Sequence, residues 1–416
     1  MHYQFEYPEL FEGVPKPDFA AMSGNLVIYG AGFQGLLAVH LLSKQGIKVL
    51  CFCDRNVKKQ GTTYYGLPVY SPEEMKQRYP EAVPIVTPYN LRPAYEYVKK
   101  KLGYHNAVTP FSLFLEFDSA GFENLPELPD WFHADSLHYN IKMFLRQCNN
   151  LLTDHPLINA ELSVSEICNL KCKNCTSLMP CYKPPKAFSY EDVLHDIMTV
   201  LQGRMTYHLV IEGGEPFLWK PLPKLLRTLC GLPNLLNIVP ITNGTVMPDN
   251  ELLCALKHPK ISVRISDYGA LSKKEQLIPM LQNNGIQYIM QLQKWYELCT
   301  FSRQPRSGKA LYETVADCCK LGGNGGMYVI DGALFHCPIQ AHLHRLGIFK
   351  ADDTDYVDLR STDLCLQDRI AAFANVQKMP KIMRLCRHCN SRGHNGIEVP
   401  PAEQLAPGEQ IQVRFE

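Results

Sequence analysis

The chain has 416 residues, 46% of them hydrophobic, with 42 Lys and Arg against 41 Asp and Glu. A formal charge of +1 gives no reason to expect a nucleic acid or an acidic membrane as partner, and the apolar fraction suffices for two or three domains of roughly 150 residues each. Sixteen cysteines, a start (Met1-His2-Tyr3-Gln4-Phe5-Glu6) without a basic and apolar signal, and no apolar run of about 18 residues lead to three expectations: a reducing cytoplasm, no membrane span, and thiolates used for metal rather than disulfides.

Residues 1–24 hold several prolines and aromatics and read as an arm, packed or mobile. A domain at 25–118 follows. Its apolar strand Leu26-Val27-Ile28-Tyr29 runs into Gly30-Ala31-Gly32-Phe33-Gln34-Gly35, a GxGxxG turn. A helical pattern over 36–45 closes at Gly46, and a second strand over 47–53 ends at Asp54, 19 residues after Gly35. Glycine turn, helix, strand and acidic residue together match a mononucleotide-binding βαβ unit, in which backbone amides at a helix N-terminus approach a phosphate. With the continuation Asp54-Arg55-Asn56 and Tyr65-Gly66-Leu67-Pro68-Val69-Tyr70-Ser71-Pro72-Glu73-Glu74, the domain resembles the Rossmann-like units of sugar acyltransferases and sugar C-methyltransferases. That resemblance implies a nucleotide or nucleotide sugar held by Gly30, Gly32, Gly35 and Asp54. The competing reading is an α/β module that has lost its ligand. Strand 82–87 and helix 91–102 complete the domain, and Cys51 and Cys53 are expected in its core. Residues 119–158 read as a linker, with a helix over 136–152 leading onward.

From residue 159 to 300 the pattern alternates strand and helix, which implies a parallel sheet with its chemistry at the C-terminal strand ends. The first strand, 160–165, feeds Cys168-Asn169-Leu170-Lys171-Cys172-Lys173-Asn174-Cys175, a CxxxCxxC array. Three thiolates can hold three irons of a cubane and leave the fourth open to a small molecule, because such clusters usually take four cysteines. Taken alone, the array also fits a zinc knuckle or buried cysteines. At the end of the next strand comes Gly213-Gly214-Glu215-Pro216.

Array and GGEP together resemble the radical SAM family. The resemblance implies a partial (β/α)6 barrel, a [4Fe–4S] cluster on Cys168, Cys172 and Cys175, and S-adenosylmethionine (SAM) on the open iron. The cluster would cleave SAM reductively to a 5′-deoxyadenosyl radical. The GGEP backbone and carboxylate would receive the SAM ammonium, and Thr242, Asn243 and Ser266 would face its methionyl and ribose groups. Asp267 and Tyr268 are candidates for substrate contact. Many members place an aromatic just before the third cysteine, against adenine; here the residue is Asn174, a departure from that pattern.

In residues 301–396, Cys319-x12-Gly332-x4-Cys337 and later Cys386-Arg387-His388-Cys389 resemble the auxiliary-cluster extension called SPASM, in its shorter twitch form. Asp331-Gly332 reads as a hairpin turn. The resemblance implies a second [4Fe–4S] cluster on Cys319, Cys337, Cys386 and Cys389, with Cys318 as substitute for Cys319; the alternative is a structural zinc on the same thiolates. Cys181 and Cys299 are candidates for returning a hydrogen atom to substrate. Arg303, Arg306 and Lys309 read as phosphate ligands or as a solvated loop. The tail, 397–416, ends in an alternating segment that suits an edge strand. The whole is α/β: a Rossmann-like domain, a partial barrel and a twitch extension. The expected activity is hydrogen abstraction from a carbohydrate or nucleotide sugar, giving dehydrogenation or epimerisation, with a flavodoxin- or ferredoxin-type reductant. The alternative is a peptide or protein maturase.

Overall fold

The computed structural model describes residues 2–128, 134–153, 157–291, 295–298, 300–311, 327–374, 382–390 and 397–415. The chain divides into two compact units, Met1–Pro156 and Leu157–Glu416.

In the first unit, β1 (Leu26–Tyr29) is apolar and buried at every position, as central parallel strands are. It leads through the glycine turn into α1 (Phe33–Lys44) and on to β2 (Val49–Cys53). A short hairpin, β3 (Thr63–Tyr64) and β4 (Leu67–Tyr70), and then β5 (Val83–Val86) complete a sheet of order β3-β4-β2-β1-β5. Only β3 is antiparallel to its neighbour. Cys51 and Cys53 lie fully buried in β2, as expected. The arm is packed: His2–Gln4 pairs antiparallel with Glu116–Asp118, and Phe11 stacks on Phe111 at 4.9 Å.

The linker expected over 119–158 is not one. Helix Ala134–Leu152 buries Ile141, Phe144, Leu145 and Cys148, a helical stripe, within the first unit. Its Gln147 side chain accepts from the Leu91 amide at 3.1 Å, and Asn149 donates to the Leu10 carbonyl. The segment belongs to that unit's core.

The second unit repeats strand and helix: β6 (Ile158–Ser163), α2 (Tyr190–Leu201), β7 (Thr206–Glu212), α3 (Leu222–Cys230), β8 (Leu235–Thr242), α4 (Asn250–Leu256), β9 (Ser262–Ser266), α5 (Lys274–Asn283) and β10 (Gln287–Gln291). Each helix turns one stripe inward; on α3 it is Leu222, Leu225, Leu226 and Leu229. Because β6 to β10 run parallel, their C-terminal ends share one edge.

The next parallel strand does not extend the series beyond β10. β11 (Met327–Ile330) pairs with the opposite side of β6, with Met327 opposite Ala160 and Ile330 opposite Ser163. β12 (Ala333–Phe335) and β13 (Tyr356–Asp358) continue antiparallel from it, so the described sheet has the order β10-β9-β8-β7-β6-β11-β12-β13. A strand read from sequence as half of an extension hairpin is therefore also the sixth parallel strand. The hairpin turn is as read: Asp331 and Gly332 have φ of 39° and 83°, the mirror-image turn that matches strand twist. Buried Asp196 of α2 accepts from the Gly332 amide at 2.6 Å and from Arg360 at 2.9 and 3.1 Å, anchoring the turn.

Between sheet and α6 (Pro338–Arg345), His342 is buried with both ring nitrogens 2.7 Å from phenols, Nδ1 from Tyr182 and Nε2 from Tyr328. A neutral imidazole offers one donor and one acceptor, so one phenol donates and the other accepts.

Candidate functional site

β6 delivers the chain to the shared edge, where Ser165 Oγ accepts from the Ile167 amide at 2.8 Å and turns it into the cysteine loop. Three sulfurs follow, each with N–H groups aimed at it. Cys168 Sγ accepts from the Leu170 amide at 3.5 Å. Cys172 Sγ accepts from Gln404 Nε2 at 3.2 Å. The amides of Ser177 and Met179 donate to Cys175. Burial pushes all three thiols up to about 11. A bound cation reverses that preference and deprotonates a coordinating thiol outright. Among the described residues no three His, Cys, Asp or Glu side chains converge as they would on a single ion. A cubane makes a different demand, one thiolate for each iron. Three sulfurs on one loop, already supplied with N–H donors, fit it.

The end of β7 is pressed against this loop. Gly214 donates to Ser165 O at 2.8 Å and Glu215 to Ile167 O at 2.9 Å. A Cβ on Gly214 would stand 2.0 Å from the Ile167 oxygen, and one on Gly213, whose φ is +146°, 2.5 Å from the Ser165 oxygen. The glycines are required because two backbones touch here. Pro216 is buried and starts the turn Pro216–Leu218. Glu215 is 1% exposed. Its carboxylate accepts from the amides of Phe217 at 3.1 Å and Asn243 at 2.8 Å, and from Thr242. Burial outweighs these donors and raises its pKa to about 7.

β8 ends in Thr242 and Asn243, both buried. Thr242 Oγ1 accepts from the Gly244 amide at 3.1 Å. Asn243 Nδ2 donates to Asn169 Oδ1 at 3.0 Å, and Asn169 donates onward to Thr245 at 2.7 Å, tying the middle of the cysteine loop to the third strand end. β9 ends in buried Ser266, whose carbonyl accepts from Ser272 Oγ at 3.2 Å. The Tyr268 phenol bonds Ser266 within electrostatic reach of all three cysteines, and its ring meets Trp295 edge-on at 5.5 Å.

Residues 162–266 match the Radical SAM superfamily. That match spans the cysteine loop, the glycine pair and the ends of four parallel strands. The matched segment is a radical SAM domain, and members of that superfamily are enzymes. The chain is similar to GTP 3′,8-cyclase of Xanthomonas axonopodis pv. citri (strain 306), 28% identical over 99 residues, 22% of this chain and 29% of that one. GTP 3′,8-cyclase of Vibrio atlanticus (strain LGP32) is 33% identical over 87 residues, 20% and 25% of the two chains. The chain thus spans less than a third of the length of these curated relatives. Among solved structures, native anSMEcpe with bound AdoMet and Cp18Cys peptide aligns with a TM-score of 0.34 and 14% identity, covering 56% of this chain and 89% of that one.

Around these strand ends the residues expected at SAM and substrate have partners within the chain. The Glu215 carboxylate, expected to meet an ammonium, is turned inward and joins the second strand end to the third. Asp267, expected at the substrate, pairs with Lys274 at 2.9 Å, which holds its carboxyl below the usual range. Thr242 and Asn243, expected to face SAM, hydrogen-bond within the strand-end frame, Thr242 to Gly244 and Glu215 and Asn243 to Asn169. Asn174 accepts from the Leu298 amide at 3.3 Å.

Beyond this domain, Cys337 caps α6, Cys386 sits in the turn Arg384–Arg387, and Cys389 bridges to Phe301. Leu385 and Cys337 meet at a small core with Leu298, Phe301, Ile339 and Leu343. Arg306, read as a phosphate ligand or a loop residue, donates to the Cys389 carbonyl at 2.6 Å, and Arg303 to that of Phe415. Cys181 packs on the same small core and lines a groove with Lys183, Ile348, Ile411 and Val413. Cys299, Cys318 and Cys319 lie outside the described residues. The edge strand read in the tail is Arg414–Phe415, parallel to Thr300–Phe301.

In the first unit, Gly30 has φ +115° and a Cβ there would stand 2.8 Å from Thr87 Oγ1; one on Gly35 would stand 2.1 Å from Gly30 O. Both serve the approach of α1 to the sheet. Gly32 is extended and has nothing within 4 Å of its Cβ position, so the turn stays open there. The Asp54 carboxylate, expected to meet a ligand, accepts from the amides of Ala31 and Asn56 at 2.9 Å each and lies 3.9 Å from Lys59, bracing the turn.

Proposed function

We propose that this chain is a radical SAM enzyme that abstracts hydrogen from a carbohydrate or nucleotide-sugar substrate, dehydrogenating or epimerising a carbon that bears a hydroxyl. The observation that carries the reading is the loop of three sulfurs at the strand-end edge, each with its own N–H donor. Cys168, Cys172 and Cys175 would hold the cluster, which together with SAM supplies a 5′-deoxyadenosyl radical able to take a hydrogen atom.

The chain's own residues do the positioning. Asn243 and Asn169 hold the loop against the third strand end, Glu215 holds the second strand end to the third, and Tyr268, packed on Trp295, lies within electrostatic reach of the thiols. Cys319, Cys337, Cys386 and Cys389 would carry the auxiliary [4Fe–4S] cluster, with electrons from a flavodoxin- or ferredoxin-type donor. The carbohydrate part is supported by the parallel sheet and glycine turn of the first unit, which stay open beside Gly32 at the head of a twelve-residue helix, where an anion is favoured.

Anaerobic reconstitution with SAM and dithionite, followed by mass spectrometry over sugar nucleotides, aminocyclitols and peptides, tests it. Production of 5′-deoxyadenosine that is lost in Cys168→Ala, Cys172→Ala and Cys175→Ala, with a modified sugar, is expected. Solvent deuterium at carbon marks epimerisation, and a carbonyl marks dehydrogenation. Zinc in place of iron, or a product found on peptide alone, overturns the reading.

A further inference from the structure

The tail over 402–409 is laid across the cysteine loop. Cys172 and Gln404 form an antiparallel bridge. Lys173 N donates to Glu403 O and Leu405 N to Lys171 O, both at 2.8 Å. The Gln404 side chain works at both ends: Oε1 accepts from the Lys171 amide at 2.8 Å, and Nε2 donates to Cys172 Sγ at 3.2 Å and to Ala402 O at 2.7 Å. Ala402, 1% exposed, adopts φ +54°, a conformation that alanine rarely takes and that surrounding contacts must enforce. Lys173 adds ion pairs to Glu403 and Glu409 at 2.8 and 3.5 Å. A half-buried side-chain amide with a donor on sulfur and an acceptor on the adjacent backbone fixes both the position and the charge environment of that sulfur.

We propose that Gln404 is a positioning residue for the Cys172 ligand, and that the tail is a strap governing how firmly the loop keeps its cluster and how easily that cluster is reduced. The proposal rests on the assignment of this loop as the cluster site. N–H donors to ligating sulfurs favour the more negative, reduced state, so the Gln404 donor raises the reduction potential.

Two full-length variants test this. Gln404→Leu removes all three side-chain hydrogen bonds. Gln404→Glu keeps the acceptor for Lys171 but sets an anion against the thiolate. Reconstituted proteins are compared by spectroelectrochemistry of the signal that responds to SAM, and by the rate at which a chelator removes iron. Both variants should shift the midpoint to more negative potential, Gln404→Glu the further, and lose iron several-fold faster. Unchanged midpoint and iron loss in both, with unchanged melting, overturn the proposal alone. A wild-type chain without a SAM-responsive cluster overturns the assignment beneath it as well.

Discussion

The carboxylate of Glu215 accepts from the backbone amide of Asn243 at 2.8 Å inside the protein, joining the ends of two adjacent strands through a side chain that is 1% exposed. Glu215→Ala leaves the amides of Phe217 and Asn243 without an acceptor. A buried donor left unpaired costs about 1–3 kcal/mol. Urea unfolding should therefore show a loss of that order. SAM affinity should fall with it, because Asn243 also holds Asn169 in the loop. Glu215→Gln, which keeps an acceptor oxygen, should lose less.

Two glycines, Gly214 of the GGEP turn and Gly32 of the GxGxxG turn, should respond in opposite ways. A methyl on Gly214 meets backbone at 2.0 Å, which neither neighbour can yield cheaply. Gly214→Ala should unfold the second unit or leave it unable to retain iron, a loss above about 3 kcal/mol. At Gly32 a methyl meets nothing. Gly32→Ala should melt within about 0.5 kcal/mol of wild type, while weakening any nucleotide-sugar binding, read by calorimetry.

His342 makes stability fall with acid. Burial, and secondarily Arg345, lower its pKa from 6.5 to about 3, so the folded chain keeps it neutral where the unfolded chain protonates it. The stability it confers is complete above pH 6.5 and is lost as pH falls toward 3. Between pH 7 and 4.5 that amounts to about 3 kcal/mol. His342→Gln should flatten this part of the pH profile of the urea midpoint; parallel profiles for the two proteins would refute the assignment.

Asp196 is 2% exposed and answers both the Gly332 amide and Arg360. Asp196→Ala should cost about 2–3 kcal/mol, at the low end for a buried pair because Arg360 is partly open to solvent. Its effect should be concentrated on hydrogen-exchange protection of β11 and β12.

What was legible in the sequence was local. The cysteine spacing and the glycine pair lie within short segments, and the Asp331-Gly332 turn needs two positive φ values that its own residues accept. In sequence the glycines read as admitting an ammonium to the backbone; in the fold Gly213 and Gly214 admit a neighbouring backbone at Ser165 and Ile167. Pairing across distance was not legible. Nothing in Met327–Ile330 says that it will lie beside Ile158–Ser163, because an apolar strand is compatible with any free edge. The helix over 134–152 showed its apolar stripe but not which core the stripe belonged to. Asp54 and Glu215 have the residue type of ligand groups, yet nearby backbone amides hold both carboxylates. Gln404 carries no motif at all; its role comes from a side-chain contact spanning 232 residues.

That span also sets an order of events during synthesis. Lys171 leaves the ribosome 233 positions ahead of Gln404. Through that interval Cys172 is without its Gln404 partner, so on the proposed reading the clasp is added after the three thiols are made. A message cut short before Gln404 would yield protein that loads its inorganic core and then leaks it.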